Sequence, residues 1–426
     1  MKTIYITFVG LLLLLAVPLS AQNKYSLTDC KQMAIENNRI LKNSKLNINA
    51  AKEANKEAFT NYFPSVSATG IGFKSNDPFI SMNMGGNTVG LLEDGLAGGI
   101  ILTQPIFVGG KIINANKLTK LGIEVNEQQA HLTKNEVMLQ VESSYWDLLG
   151  LYEKMNTLDF LDKQLSSLLK DVEVSYQAGM ITHNEVLQVK LKQNEVKSNR
   201  ANLENGILLN KMSLCQQLGI DIQESDKFDV EQADINNLES PISYYISHKE
   251  ALENRAENIL LDKNVDASKL QTKMQRADYM PNVAVGAAYL QNNMMDKWQG
   301  NAAVFVSVSV PISGWWGGSH AIKKQRYNEE IAHNNKINGQ EQLLLQMQNV
   351  KNEFDNEYKQ ILIAQESTEQ ANENLRLNND YYKVGMVSIT DLLDAQTLLQ
   401  QSRDKYVDSY SSYQKKRLEY LQVTGR

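Results

Sequence analysis

The chain states one pattern twice, and each copy sets a pair of short pleated segments between long helical stretches. Tyr62-Phe63-Pro64-Ser65-Val66 recurs as Tyr279-Met280-Pro281-Asn282-Val283, and Ala34-Ile35-Glu36-Asn37 recurs as Ala251-Leu252-Glu253-Asn254 at the same spacing. Tyr176-Gln177-Ala178-Gly179-Met180-Ile181-Thr182 returns as Tyr382-Lys383-Val384-Gly385-Met386-Val387-Ser388, and Leu218-Gly219 returns as Thr424-Gly425. Duplication on this scale predicts two similar structural repeats, 22–219 and 246–426, joined by a segment at 220–245.

The pleated segments are 64–73, 96–107, 281–291 and 302–312. In Ala303-Val304-Phe305-Val306-Ser307-Val308-Ser309-Val310 the valines fall on one face, with Phe305, Ser307 and Ser309 on the other. Each segment has about 10 residues, the length of a tilted strand crossing a bilayer. Pro64, Pro105, Pro281 and Pro311 mark the junctions of strand with helix, expected at segment ends where no ladder donor is lost. Tyr62, Phe63, Phe107, Tyr279, Trp315 and Trp316 gather at one end, and Phe79, Tyr289 and Trp298 at the other, as in interfacial girdles. An ordinary sheet packed on helices is the competing reading. Two hairpins give four strands, too few to close a membrane barrel, whose smallest forms use about eight. An open edge in hydrocarbon costs several kcal/mol per unpaired donor. The wall must then be shared between chains, and three copies would supply twelve strands.

Proline is absent between Pro105 and Pro241 and after Pro311, which permits long helices. Leu148, Leu151, Met155, Leu158, Leu161, Leu165, Leu168, Val172 and Tyr176 alternate spacings of three and four, as do Met347, Val350, Phe354, Tyr358 and Ile361. Helices are predicted over 27–62, 111–178, 182–217, 247–279, 319–384 and 388–422. Gly179 and Gly385 are placed as left-handed caps. Thr182 with Glu185, and Ser388 with Asp391, open the following helices as capping boxes. Gly109-Gly110 and Gly317-Gly318 lack the lysine of a phosphate loop and are expected to bend the chain from strand to helix.

Residues 1–21 read as a secretory leader, with Lys2, an apolar run from Ile4 to Val17, and Ala21. A net charge of −6 argues against a nucleic-acid partner. Five scattered histidines have no ligand spacing, and no nucleophile motif occurs, so neither an enzyme nor a resident metal or cofactor is expected. Cys30 and Cys215 are two buried free thiols or, if the first and third helices stack end to end, one disulfide. A secreted coiled-coil scaffold or adhesin without a pore is the alternative function.

The two tip motifs, Gly179 to Thr182 with Glu185 and Gly385 to Ala395, together with the Tyr-aromatic-Pro strand starts and the Gln104-to-Gly110 strand exit, resemble the outer membrane efflux protein (TolC) family across the mature chain. The resemblance implies a mostly α fold with a small β part. In it a homotrimer shares a twelve-stranded transmembrane β-barrel over an α-barrel of long coiled-coil helices. It implies residence in the cell outer membrane with a large periplasmic portion, in contact with outer-membrane lipid. It also implies a passive channel-tunnel of a tripartite efflux or type I secretion system, whose tips (Gly179, Thr182, Gly385, Ser388) dock a periplasmic adaptor coupled to an inner-membrane transporter. By the same resemblance Asp391 and Asp394 ring the periplasmic constriction, with raised pKa values and affinity for multivalent cations. Glu185 and Tyr382 form a gate latch, with Val387 where an Arg would complete it.

Overall fold

The computed structural model describes residues 23–85, 87–90, 94–232, 238–293 and 297–426. The expected leader, 1–21, lies outside them, as does part of the 220–245 segment. In chain order the first half holds β1 (Asn23–Tyr25), α1 (Leu27–Asn37), α2 (Arg39–Thr60), β2 (Ser65–Lys74), β3 (Ser81–Met84), β4 (Asn87–Gly90), β5 (Asp94–Val108), α3 (Lys111–Gln177) and α4 (His183–Leu218). After β6 (Phe228–Val230) come α5 (His248–Asn254), α6 (Ala256–Ala277), β7 (Asn282–Asn292), β8 (Gln299–Ser309), α7 (Gly314–Lys383) and α8 (Ile389–Val423). These elements divide into two compact units, one holding the described residues of 23–43, 132–255 and 343–426, the other those of 44–131 and 256–342. Each unit draws on both copies of the duplication.

The first unit is helical. Most of its seam is the one the spacing predicts: Leu148, Leu158, Leu161, Leu165, Leu168 and Val172 are buried, as are Met347, Val350, Phe354 and Ile361, while Leu151, Met155 and Tyr358 are half-buried and Tyr176, at the tip, is exposed. Phe354 stacks on Tyr413 and Tyr420 at centroid distances of 5.1 and 5.9 Å. A second cluster joins Leu165, Val172 and Val189 to Ile389, Leu392 and Leu399. The predicted helix 27–62 is interrupted at Asn38. Asn38 closes α1 through its N–H, which donates to the Ala34 carbonyl, while its Oδ1 accepts from the N–H groups of Ile40 (2.8 Å) and Leu41 (3.2 Å) at the start of α2. The predicted helix 247–279 breaks likewise at Arg255, which is buried and donates to Gln346 Oε1 at 3.1 Å. Gly219, at φ 73°, closes α4 against the first break: a Cβ there would sit 2.6 Å from the Asn37 carbonyl oxygen.

Cys30 and Cys215 are free thiols in one core, so the stacking of α1 on α4 holds without the disulfide. Burial pushes the two thiols up to about 12 and about 11, which keeps them protonated and inert. The sequence reading missed the parallel pairing of β1 with β6, where Tyr25 stacks on Phe228 at 5.3 Å.

The second unit is built on one antiparallel sheet ordered β2-β5-β7-β8. The helices that run into it keep the same order. Asn55 of α2 donates to Thr119 Oγ1 of α3 at 2.8 Å, Lys111 of α3 pairs with Asp278 just past α6 at 2.7 Å, and Thr272 of α6 donates to Glu329 of α7 at 3.1 Å. Each helix thus continues its own strand. Pro64, Pro281 and Pro311 flank strands as expected, but Pro105 lies inside β5. It is tolerated there because β2 pairs only as far as Thr103 and a bulge between Pro105 and Phe107 relaxes the ladder to β7. Gly109 and Gly110 (φ 62° and 79°) make the expected bend, whereas Gly317 and Gly318 lie within α7, where Gly318 packs on the Tyr279 ring. A small hairpin, β3–β4, was not foreseen.

Candidate functional site: an inside-out sheet and two capped tips

Residues opposite one another in an antiparallel ladder share a face, so the register sorts the sheet into two surfaces. One carries Val66, Ile100, Leu102, Val283, Val285, Val304, Val306 and Val308. The other carries Ser65, Ser67, Thr69, Thr103, Ser307 and Ser309, with Ile71, Ile101 and Phe305 among them. The apolar face is uncovered: Val304 and Val306 are 86% and 70% exposed. Burying such a side chain is worth about 1.5–3 kcal/mol, so water is the wrong solvent for it. The competing reading of a sheet packed on helices therefore fails at this face. Among the described residues β2 and β8 each pair on one side only, leaving two open edges. No helix of the described residues is long and apolar enough to cross a membrane, and β-strands are outside that criterion.

The tips sit in the helical unit. Gly179 (φ 71°) and Gly385 (φ 76°) close α3 and α7 in matching six-residue motifs. Gly179 N–H donates to the Tyr176 carbonyl and Met180 N–H to Ser175. Gly385 N–H likewise donates to Tyr382 and Met386 N–H to Tyr381. Both predicted capping boxes form, unequally. Asp391 accepts from Ser388 N–H at 2.8 Å and Oγ–H at 2.6 Å, while Glu185 accepts from Thr182 N–H and Oγ1–H at 3.4 and 3.5 Å.

These bonds hold the Asp391 carboxyl below its ordinary value, opposite in sign to the raised value expected of a charged ring. Within one chain the cap decides, because its donors are in contact and other carboxylates are not. Asp394, one turn later, is exposed on α8. Glu185 and Tyr382 are brought to one cleft of about 810 Å³, with Asp171, Lys383 and Val387. Burial, then the charges of Glu185 and Asp171, raise the Tyr382 hydroxyl. No hydrogen bond joins Tyr382 to Glu185 within the chain; the two hairpins meet through Thr390 Oγ1–H and Gln188 Oε1 at 3.4 Å. The sequence reading missed Arg376, two turns above the second tip, which grips Glu373 at 2.8 Å and Asp380 at 3.0 Å. Its three- and four-residue spacings to those acids were the available signal. Among the described residues no cluster of three or more potential metal ligands occurs.

Residues 31–219 and 249–426 match the family described as outer membrane efflux protein. The structure resembles the CmeC outer membrane channel of Campylobacter jejuni at 17% identity and TM-score 0.80, over 94% of this chain and 85% of that one. It resembles VceC of Vibrio cholerae at 16% identity and TM-score 0.77, over 94% and 96%. The open-state MtrE channel of Neisseria gonorrhoeae aligns at 14% identity and TM-score 0.75, over 94% and 88%. At these identities the likeness is one of fold. No curated protein matches the sequence. The family match spans nearly the whole described chain, and the chain belongs to the outer membrane efflux protein family: a non-enzymatic transport conduit of the cell outer membrane with a large periplasmic portion.

Proposed function

We propose that three copies of this chain close one twelve-stranded barrel over a helical tunnel. In this reading the tunnel conducts substrates passively from an inner-membrane transporter, coupled through a periplasmic adaptor. The observation that carries it is a four-stranded sheet with an exposed apolar face and, among the described residues, both edges open. In hydrocarbon each unpaired edge donor or acceptor costs several kcal/mol, and pairing β2 of one copy with β8 of the next removes both edges at once. The polar strand face of Ser and Thr then lines a wet lumen, and a scaffold or adhesin has no use for the valine face.

The Gly179 and Gly385 tips, pre-shaped by their caps, are the docking surface for the adaptor. Asp391 and Asp394 from three copies put six carboxylates around the entrance, where closely spaced charges favour cations. Glu185 and Tyr382 reach neighbouring hairpins to hold the entrance narrow, and Val387 leaves that link without an arginine.

Single-channel recording in a planar bilayer tests the reading. The purified protein should conduct, and divalent or trivalent cations added on the tip side should block it. The Asp391→Ala/Asp394→Ala variant should conduct without block. A protein that never conducts contradicts the conduit, and unchanged block in the double variant removes the gate assignment alone.

A further inference from the structure

The helices that continue the strands are not evenly charged near the sheet. In a chain of net charge −6, three stretches beside the sheet hold no Asp or Glu: 109–123, 267–277 and 310–328. Each contains three Lys or Arg. The corresponding end of α2 is balanced instead, with Lys52 beside Glu53 and Lys56 beside Glu57. Partners account for part of the excess: Lys111 binds Asp278, Lys269 binds Asp266, and Arg276 and Arg326 share a cleft with Glu329 and Glu330. Lys117 and Lys120 on α3 and Lys323 and Lys324 on α7 are exposed and carry no ion pair among the described residues.

Helix direction adds a second observation. α3 and α7 begin at the sheet, and helical side chains lean toward the helix N-terminus. The exposed, unpaired lysines of α3 and α7 therefore lean toward the bilayer, whereas Lys273, exposed on α6, which ends at the sheet, leans away from it. On α7 a 100° step per residue puts Trp316, His320, Lys323, Lys324 and Tyr327 on one face, and all five are exposed, Trp316 by 82%. Trp315 is pinned at the same level by its indole N–H, which donates to the Tyr279 carbonyl at 2.9 Å. Exposed tryptophans beside lipid-facing valines mark the headgroup level. Lys323 lies seven residues further, about 10 Å along the helix. An extended lysine pointing back, and a screening length of about 8 Å, bring its charge within reach of headgroup phosphates.

We propose that this α7 face is a binding surface for the phosphate groups of anionic phospholipid in the leaflet nearest the helices. It rests on the sheet lying in the bilayer, as the conduit reading requires. The surface fixes the depth of the sheet by holding a shell of negatively charged lipid beneath the tryptophan belt.

The test is native mass spectrometry of the full chain released from nanodiscs of mixed phosphatidylglycerol and phosphatidylethanolamine, with conductance measured in parallel. The unmodified protein should retain phosphatidylglycerol preferentially, and the preference should fade as salt is raised before release. Lys323→Gln/Lys324→Gln should weaken it by about fivefold per lost charge, and Lys323→Arg/Lys324→Arg should keep it. A salt-insensitive preference, or equal retention in the glutamine and unmodified proteins, overturns the proposal. So does a glutamine variant with unchanged lipid but altered ion selectivity, which would put these lysines in the lumen. Should the glutamine variant fail to assemble, the arginine variant and the salt titration decide. Absence of conductance in the unmodified protein counts instead against the conduit reading.

Discussion

The two units of this chain solve opposite burial problems. The helical unit hides its apolar seam in its own core, with Leu148, Leu165, Met347 and Phe354 fully enclosed. The sheet of the other unit leaves its valines exposed and, among the described residues, two edges unpaired. Both patterns come from the same residue types, distinguished only by period: three-and-four spacing in one, strict alternation in the other. A region with its own core is stable on its own terms, whereas a region without one needs its surroundings to complete it; in the proposed assembly these are lipid and further copies of the chain.

Truncating the enclosed aromatic stack should have the largest effect. Phe354→Ala should lower stability by about 3–5 kcal/mol, seen as a drop in the thermal midpoint of the helical circular-dichroism signal in detergent. Val306→Ala, on the uncovered face, should barely move that midpoint; a large shift there would mean that the sheet has a protein core after all. Next, Val306→Arg should destabilise the bilayer-inserted protein by about 2–4 kcal/mol, while Ser307→Arg, one residue on and facing the other way, should be tolerated. Urea titration in vesicles distinguishes them, and equal penalties would erase the two-faced sheet.

Smaller effects belong to the tips. Ser388→Ala should cost about 1 kcal/mol, and Thr182→Ala less, because its hydrogen bonds are longer. Amide exchange at the start of α8 and α4 reads each separately. The smallest effect follows pH. Because Ser388 lowers the Asp391 pKa in the folded tip, the carboxylate adds stability above the ordinary aspartate value, about 4, and loses it as the pH falls through the folded value. The protection factor at the α8 tip, exchange normalised to the intrinsic rate at each pH, should fall on acidification below pH ~4, and Asp391→Asn should abolish that fall. Asp29, capped by Ser26 in the same way, makes a local readout necessary.

What the sequence exposed follows from range. Tip glycines, capping boxes, alternating valines and seam leucines act over a few residues, and all are where the pattern puts them. The breaks at Asn38 and Arg255 carry no proline or glycine; they are set by partners far along the chain, Gln217 for the Asn38 amide and Gln346 for the Arg255 guanidinium. The three-residue β1–β6 pairing is equally non-local. Pro105 escaped because its tolerance depends on where a neighbouring strand stops pairing. At the tips, the cap was legible from Ser388 and Asp391, while the shift that the cap gives Asp391 within one chain required knowing which donors touch it.

The claim on which the account turns is that four strands are completed by other copies of the chain. Native mass spectrometry of the conducting, detergent-extracted particle counts those copies directly. The account predicts three chains, hence twelve strands; a particle that inserts and conducts as a single chain would contradict it.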